Sequence, residues 1–553
     1  MSHGNNPSAG VYVNEIDLSQ YVVAAPTSIG AIVGASARGP VGQRTLVTSQ
    51  KQFLQMFGVP DASDRKLPQQ PVSHYADVAN SYMHYCALAF LNEATRLYVT
   101  RVAPGATFGG LTCSFNPTGN APFNFSQSWT SGQDDPTIYP FAPTDLFAIY
   151  AVDPGKWNSE LSIQIYPETQ VDDGTFYVAV FKSGVGMAVE THKVSLNHVV
   201  DGYGTQRNIQ EYINSRSMYI RVVQNYENAD FMTNPNRRLV NSLNAGGAGG
   251  SMGVDLVGGD DGYQPTIGDM MNAWDLYADP EVVDVNMLIN GGYAFPAIQI
   301  KMAQLCQDRM DCVAILDTPS TEQTVQNALN YRRNTLNLDS SYAALYSPDV
   351  LILDQYNDKR LYIPISGHVA AAYARTDRDW NLWFAPAGMN RGKLDVLGVR
   401  HIYNQGDRDA LYESQINAVR VINGSGIKIW GADTMQVMGS ALSNMSVRRL
   451  MIFLEKSLSK AALYSLFDPN DQILRNQLID LCERFLRPIM QGRGVYGYYV
   501  KCDAENNPPE IIANGDLILD VYIDPTLPVK RIHLTAVVNR TGSRVTGTAT
   551  NQG

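Results

Sequence analysis

The sequence predicts a multidomain α/β and β protein: a discontinuous α/β core, an inserted β-sandwich or barrel domain, an α+β C-terminal domain and extended terminal arms. Three observations support this prediction. Strand and helix patterns alternate before residue 103 and again after residue 266, and the stretch between them is rich in turn-forming residues and short β-prone runs. In addition, 553 residues exceed the size at which a single hydrophobic core usually stops growing.

The two α/β segments are expected to share one sheet of largely parallel strands. An apolar run from Ile29 to Ala35 ends at the turn signal Arg38-Gly39-Pro40, which indicates a buried strand. The other predicted core elements are a short helix after Ser49, a helix with Tyr75, Val78, Tyr82, Tyr85 and Ala89 on one face, helices over 267–277, 298–310 and 320–334, and strands over 96–102, 282–289, 312–317 and 341–346. Strands alternating with helices at this spacing are typical of parallel sheets covered by helices.

The inserted and C-terminal regions have patterns of their own. The insertion contains β-prone runs at 146–151, 161–166, 176–181 and 218–223 and closes with a glycine-rich stretch, 244–250, that we expect to be a flexible connector. The C-terminal region predicts helices over 446–464 and 471–490 and strands over 496–502 and 517–523. The predicted domains are an N-terminal arm (1–25), the first part of the core (26–103), the inserted β domain (104–250), the second part of the core (251–410), the C-terminal α+β domain (411–528) and a C-terminal arm (529–553).

The residue pattern at each end of the chain predicts a strand that has no hairpin partner nearby in the sequence. Such a strand has to pair with something distant, and a neighbouring subunit is one candidate. We therefore predict intersubunit strand exchange, with flexible joints near 19–26 and 524–528. The apolar positions assigned to this exchange are Val11, Tyr12, Val13 and Ile16 in the first arm, and Ile532, Leu534, Ala536 and Val538 in the last.

Composition restricts the classes of partner. The formal net charge is −11 and no basic stripe is present, so we expect no direct contact with nucleic acid. There is neither a signal-peptide pattern nor an apolar run of 18 residues, so we expect cytosolic folding and no membrane insertion. The six cysteines are scattered, which favours reduced thiols. The 30 tyrosines suit either protein interfaces or an ordinary β-rich fold.

The motifs predict no cofactor and no metal site. The glycines between 246 and 262 are not followed by Gly-Lys-Ser/Thr, so a phosphate-binding loop is not predicted. Asp260-Asp261 lacks the alternating oxygen ligands of a calcium loop and is interpreted as a solvated turn.

One segment permits an enzymatic hypothesis. Ser366 and His368 follow a predicted strand and Asp317 ends another, which is where a hydrolase on an α/β sheet would place its catalytic groups. No G-x-S-x-G motif accompanies them. The alternative, which we favour, is that Ser366-Gly367 caps and opens an alanine-rich helix at 369–374, so no catalytic residue is predicted.

Arginines on the second C-terminal helix form a further candidate site. Arg475, Arg484 and Arg487 are spaced by 9 and 3 residues, with Arg493 just beyond, and we expect them to share a helix face. Such a face is either solvated or contacts an acidic protein partner.

Several segments, in order, resemble the tail sheath family of contractile phages. Gly10-Val-Tyr-Val-Asn-Glu-Ile16 is similar to the family's opening, although Ala9 stands where proline is usual. The further matching segments are Thr27–Gly34 with Arg38-Gly-Pro40, Asp153-Pro-Gly-Lys-Trp157, Leu256-Val-Gly-Gly-Asp-Asp-Gly262, Arg309–Asp317 with Pro319, Ser341–Tyr346, Pro364–Gly367, Ala374–Asp377, Ala385–Gly388, Trp430-Gly-Ala432, Arg448-Arg-Leu450, Glu455-Lys-Ser457, Phe467-Asp-Pro-Asn470 and Val500-Lys-Cys-Asp503. The resemblance covers roughly residues 10–540.

The resemblance implies a structural subunit rather than an enzyme. It implies self-assembly as stacked rings of six subunits around a tail tube, contacts with baseplate and tail terminator proteins, and contraction that drives the tube through the host envelope for genome ejection. It also implies a subtilisin-like core without protease activity, location in the virion tail and assembly in the host cytoplasm. Arg475, Arg484 and Arg487 become candidates for facing the tube. The sheath of a non-phage contractile injection system that delivers protein remains an alternative.

Overall fold

The computed structural model describes residues 26–60, 75–115, 123–126, 129, 136–137, 139–167, 175–196, 198, 204–226 and 253–534. The first arm with Val11, Tyr12, Val13 and Ile16, the predicted connector at 244–250, and Ala536 and Val538 lie outside these residues.

The described residues form twenty-two strands and twelve α-helices. The strands are β1 (Ile29–Gly34), β2 (Thr45–Val47), β3 (Arg96–Arg101), β4 (Gly110–Phe115), β5 (Phe123–Ser126), β6 (Asp145–Ala151), β7 (Leu161–Pro167), β8 (Thr175–Lys182), β9 (Ala188–Ser195), β10 (Ile220–Gln224), β11 (Val254–Asp255), β12 (Met287–Ile289), β13 (Val313–Asp317), β14 (Ala343–Ser347), β15 (Val350–Asp354), β16 (Lys359–Ile363), β17 (Lys393–Leu394), β18 (Gly398–Val399), β19 (Ile416–Ile422), β20 (Gly426–Ile429), β21 (Val495–Lys501) and β22 (Asp520–Pro525). The helices are α1 (Gln50–Phe57), α2 (Tyr75–Leu91), α3 (Ile209–Arg216), α4 (Ile267–Asp275), α5 (Pro296–Arg309), α6 (Val325–Asn330), α7 (Ser366–Asp379), α8 (Gly388–Arg391), α9 (Gln405–Glu413), α10 (Met445–Ala462), α11 (Gln472–Gln491) and α12 (Pro509–Ala513).

A nine-stranded sheet forms the centre of the protein, in the order β17-β20-β19-β14-β13-β12-β1-β3-β2. The six strands from β19 to β3 are parallel to their neighbours, and β2, β20 and β17 pair antiparallel at the two edges. Strands from both predicted parts of the core lie side by side, because β12 from the second part pairs with β1 from the first. This sheet therefore gives the protein a mixed α/β core.

Helices cover both faces of this sheet. Along β1, Ile32 packs among side chains of α1, α2 and α7, whereas Ala31 and Val33 pack among side chains of α4 and α5. This alternation is expected because successive side chains of a strand point to opposite faces. A Cβ on Gly30 would lie 2.8 Å from Phe90, so the glycine allows α2 to approach the strand closely.

The inserted region consists of two four-stranded antiparallel sheets, β10-β6-β4-β5 and β11-β7-β8-β9. One hydrophobic cluster takes side chains from both sheets, among them Ile149, Ile163 and Val178, and from α3. The insertion extends beyond the predicted end at residue 250, because Val254 pairs with Ile163 and Leu256 belongs to the same cluster.

The buried guanidinium of Arg101 joins the insertion to the central sheet. It donates hydrogen bonds to the backbone oxygens of Ser36 (2.6 Å), Gly39 (2.8 Å) and Pro154 (2.8 Å). The backbone oxygen of Ala37 is a fourth acceptor, at 3.2 Å. Pro154 belongs to the insertion and the other three acceptors to the turn after β1. Asp153 lies beside this cluster, and its burial raises the pKa of its carboxyl to about 6.

The C-terminal region packs α10 and α11 against the hairpin β21–β22 around a small cluster that includes Leu450, Leu486 and Val500. Its helices begin at side-chain caps: Asn444 accepts a hydrogen bond from the N–H of Ser446, and Asp471 accepts one from Leu474. The central sheet continues past the predicted boundary at residue 410, since β19 and β20 both belong to it.

Among the helices that the structure describes, none has the length and apolar character needed to cross a bilayer. Within the same residues, no three His, Cys, Asp or Glu side chains are grouped closely enough to hold a metal ion.

Candidate assembly surface

Ser366 and Asp317 form a closed structural contact at the start of α7. The Ser366 hydroxyl donates to Asp317 Oδ2 (2.6 Å), and the Ser366 N–H donates to Asp317 Oδ1 (2.7 Å). Gly292 adds a further N–H donor to Asp317 at 3.1 Å. The prediction that Ser366 caps the helix was therefore wrong in detail: Ser366 is the first helical residue, and Asp317 accepts the hydrogen bond from its free N–H.

His368 does not complete a catalytic arrangement with Ser366. Residues two apart on a helix point in different directions, and the Ser366 proton is committed to Asp317. Burial lowers the pKa of His368 to about 4 and raises that of Asp317 to about 7. In the described part of the chain, His368 Nδ1 has no hydrogen-bond partner.

Polar side chains fill the end of the central sheet at which an open α/β sheet would bind a ligand. That position is the carboxyl end of β1 and β12, where the strand order reverses. Asn290 Oδ1 accepts from Gln299 Nε2 (2.7 Å), and Tyr331 donates its hydroxyl to Gln299 Oε1 (2.9 Å). Asn290, Gln299 and Ser366 are all buried, so this end of the sheet is a packed junction rather than a cleft.

The β21–β22 hairpin is a two-stranded sheet, and within the described ranges no third strand pairs with either edge. Tyr499 and Tyr522 face each other across the hairpin with ring centroids 6.0 Å apart, and both are largely exposed. A two-stranded sheet is marginally stable by itself and offers unpaired N–H and C=O groups at each edge.

The chain leaves this hairpin as an extended segment, 526–534, without regular structure. Ile532 and Leu534 are 86% and 92% exposed, so neither packs against the subunit to which it belongs. Lys530 holds the base of the segment in place through an ion pair with Asp433 (2.6 Å) and a hydrogen bond to the Tyr412 hydroxyl (3.0 Å).

The arginine face is smaller than the sequence predicted. Arg475 is buried, and its Nε donates to Asn470 Oδ1 (3.1 Å). Arg484 and Arg487 are exposed, and Arg484 lies 3.5 Å from Asp480. The prediction of one shared face was wrong because nine residues span two and a half helical turns, which places Arg475 opposite Arg484.

An exposed apolar cluster at the end of α10 was not predicted as a site. Leu463, Tyr464, Leu466 and Phe467 are 58–104% exposed. Apolar patches of this kind mark interaction surfaces. The signal in the sequence was the density of apolar residues between the end of α10 and Pro469.

Two family models match adjoining parts of the chain. The "Phage tail sheath protein central domain" matches residues 264–435, and the "Phage tail sheath C-terminal domain" matches residues 438–539. The tail sheath protein of Enterobacteria phage T4 is 31% identical over 299 residues, which is 50% of this chain and 45% of the T4 protein.

These two regions are phage tail sheath domains.

The chain spans about half the length of the curated relatives it matches. Its fold is shared with the crystal structure of the sheath tail protein from Desulfitobacterium hafniense, at a TM-score of 0.53 and 13% identity, covering 90% of this chain and 94% of that one. It is also shared with the contracted PVC sheath of an extracellular contractile injection system, at a TM-score of 0.52 and 15% identity, covering 97% and 98%. At these identities the similarity shows the fold alone.

The two matched regions of the chain meet between β20 and α10, since one ends at residue 435 and the other begins at 438. This is also where the central sheet ends and the C-terminal helices begin, so the structure and the family models divide the chain at the same place.

Proposed function

We propose that this protein is the structural subunit of a contractile phage tail sheath, which polymerises as stacked rings of six subunits around the tail tube and contracts to drive the tube through the host envelope. The observation that supports this most directly is the unpaired β21–β22 hairpin beside an exposed apolar segment at 529–534. Tube, baseplate and tail terminator proteins would be its partners in the virion, after assembly in the host cytoplasm and without contact with nucleic acid or insertion into a membrane.

Strand exchange between subunits would explain both the two-stranded hairpin and the exposed arm. The hairpin has free edges at which further strands could pair, and the arm exposes Ile532 and Leu534 at alternating positions without packing them on its own subunit. An arm from a neighbouring subunit that pairs with β21 or β22 would saturate the free edge and bury its own apolar side chains. The matching role of Val11, Tyr12, Val13 and Ile16 in the first arm is part of the same proposal, as is that of Ala536 and Val538.

Contraction would then be a rearrangement of rigid domains linked by these strands. The central sheet is packed on both faces, so it would move as a unit, and the free energy would come from new contacts between subunits. The proposal requires no cofactor, metal or nucleotide.

Electron microscopy of the purified protein tests the proposed assembly. The wild type should form striated tubes, and deletion of residues 1–24 should leave a folded subunit that does not polymerise. Replacing Ile532 and Leu534 with aspartate should have the same effect at little cost to folding, because both side chains are exposed. Met187→Asp, which changes another exposed apolar residue, is the matched control and should form tubes. Normal tubes from both arm variants would contradict strand exchange.

The tube contact is tested separately by charge reversal at the exposed Arg484 and Arg487. The double glutamate variant should fold and form empty polysheaths but assemble poorly on purified tubes. Arg475→Glu is unsuitable for this purpose because Arg475 is buried. Unchanged assembly on tubes would argue against these residues facing the tube.

A second candidate is the sheath of a non-phage contractile injection system, which the shared fold with the PVC sheath supports. The subunit would work in the same way, but the particle would carry protein instead of a genome. Isolation of intact particles decides between them: attached DNA-filled capsids indicate a phage, and headless particles indicate an injection system.

Within either proposal the protein is not an enzyme. Ser366 is fully buried and bonded to Asp317, so a fluorophosphonate probe should leave it unlabelled in the native protein. Labelling of Ser366 would revive the hydrolase hypothesis.

A further inference from the structure

A groove of about 1150 Å³ lies between the central sheet and the C-terminal domain. Its walls come from the loop after α7, from α9 and β19, from the residues just after β20, from the junction of α11 with β21, and from the segment that follows β22. Its basic side chains are Arg391, Arg408, Arg420, Arg493, Lys530 and Arg531, and its acidic ones are Asp409 and Asp433. We call it the basic groove, because six cations and two carboxylates give it a net charge of +4 in a chain whose formal net charge is −11.

Most of this positive charge is not neutralised within the subunit. Lys530 pairs with Asp433, but among the residues that the structure describes no carboxylate lies within 4.0 Å of the other five cations. Arg408 donates to the backbone oxygen of Tyr403 instead, at 2.6 Å. Burial lowers the pKa of Arg408 and the charge of Arg420 lowers it further, while the nearby carboxylates Asp409 and Asp407 oppose the shift only in part.

Aromatic rings support these guanidinium groups. Arg420 lies 4.5 Å from the ring centroid of Trp430, and Arg391 lies 5.4 Å from that of Trp380. Arg391 Nε also donates to the backbone oxygen of Ala385 (2.9 Å). Stacking on a ring holds a guanidinium group in place and leaves the donors at its edge facing the groove for an incoming carboxylate. The basic groove is therefore organised to bind an acidic protein segment.

The same chain carries an acidic segment of the required kind. Residues 503–524 run from the end of β21 through α12 into β22 and contain no Lys or Arg. We call this segment the acidic loop. Its carboxylates are Asp503, Glu505, Glu510, Asp516, Asp520 and Asp524. In the described part of the chain only Glu505 has an ion-pair partner, Lys501, at 2.6 Å. Glu510, Asp516 and Asp524 are exposed.

We propose that the basic groove of one subunit binds the acidic loop of a second copy of this chain. Two complementary surfaces on one molecule make a head-to-tail contact, which builds a ring or an open helix rather than a closed dimer. This inference rests on the proposed sheath function and identifies a contact distinct from strand exchange, since it is made by charged side chains and not by backbone pairing. It should also weaken as salt increases.

Charge exchange between the two surfaces tests this contact. One variant carries Arg493→Glu and Arg531→Glu, a second carries Glu510→Arg and Asp516→Arg, and a third carries all four changes. All four side chains are exposed, so the subunits should fold. Lys359→Glu with Arg360→Glu reverses two exposed charges on β16, outside both surfaces, and serves as the matched control.

Each double variant should raise the protein concentration needed for tube formation by about tenfold, and the fourfold variant should restore it to near the wild-type value. The control should polymerise like the wild type. Tubes that form normally from the double variants would overturn the inference and leave the proposed sheath function intact. Failure of the wild type to form tubes would instead count against the sheath function. Loss of assembly by the groove variant alone, without rescue, would show that the occupant is not the acidic loop.

Discussion

Ser366 donates its hydroxyl proton to Asp317 across 2.6 Å, and both side chains are buried. The carboxylate also accepts the Ser366 N–H at the first turn of α7, so it joins the end of β13 to the start of that helix. A serine and an aspartate that could suggest catalysis in the sequence therefore hold a helix on a sheet.

Replacing Asp317 with asparagine should change how stability depends on pH. Burial raises the pKa of Asp317 to about 7, whereas an aspartate in an unfolded chain has a pKa of about 3.9. The folded state holds this proton more tightly, so the contribution of Asp317 to the free energy of unfolding falls as pH rises from about 4 to about 7. Asp317→Asn cannot ionise, and its stability deficit relative to wild type should shrink by up to about 4 kcal/mol over that range.

Chemical unfolding followed at several pH values measures this effect. Ser366→Ala is the control, because it keeps the ionisable carboxyl and removes a hydrogen bond that lowers its pKa. Its stability should therefore keep the dependence on pH that Asp317→Asn loses. Parallel stability profiles for wild type and Asp317→Asn would contradict the prediction.

The buried ion pair between Arg449 and Asp377 should be essential to the junction of α10 with α7. Arg449 Nη1 lies 2.9 Å from Asp377 Oδ1, and Ser28 donates to the same carboxylate at 3.2 Å. Arg449→Met would leave a buried charge without its partner and should cost about 3–5 kcal/mol of unfolding free energy. Arg378→Met removes an exposed arginine from its pairs with Asp379 and Glu93 and should cost only about 1 kcal/mol, because its charge stays accessible to solvent. Equal costs for the two variants would show that the buried pair is not the stabilising contact.

Gly367→Ala should destabilise the contact between α7 and α2. A Cβ on Gly367 would lie 2.4 Å from Cys86 Cα, and backbone cannot move aside as a flexible side chain can. We expect a loss of about 2–3 kcal/mol, measured by denaturant unfolding. Gly406→Ala, on α9, meets nothing closer than Asn404 Oδ1 at 3.5 Å and should instead be neutral or stabilising by up to about 1 kcal/mol. A neutral Gly367→Ala would mean that the two helices separate easily.

The six cysteines should be unreactive until the protein unfolds. All six are buried as free thiols, and burial raises the pKa of Cys86 and Cys113. A thiol reagent should modify none of them within minutes in the native protein and all six in denaturant. A count of four after unfolding would reveal a disulfide, for which Cys306 and Cys312, with sulfurs 3.4 Å apart, are the closest pair among the described residues.

Local signals in the sequence predicted much of the secondary structure. Helices α10 and α11 begin within a residue or two of their predicted starts, because Asn444 and Asp471 cap them and the apolar positions that follow recur at helical spacing. The inclusion of β19 and β20 in the central sheet could not be predicted this way, since strand pairing with β14 depends on residues about 70 positions away.

The candidate site was harder to predict than the fold. The exposure of Ile532 and Leu534 agrees with an arm that lacks a partner in its own subunit, but whether the arm is exchanged stays a prediction. The basic groove gave no sequence signal because its six cations are spread from Arg391 to Arg531 and come together only in the folded chain. That Arg475 and Arg484 lie on opposite faces of α11, in contrast, could have been predicted from helical geometry.

The bonds of Arg101 have a mechanical consequence. Four backbone oxygens, from both sides of the junction with the inserted domain, converge on one guanidinium group that is rigid and planar. A torque applied to the two sheets of the inserted domain would be transmitted through Arg101 to β1 and β3 instead of being absorbed by a flexible hinge. Arg38 adds a second link, because its guanidinium group lies 4.2 Å from the ring centroid of Trp157 in the insertion. The inserted domain would in that sense be a lever arm that turns on two arginines.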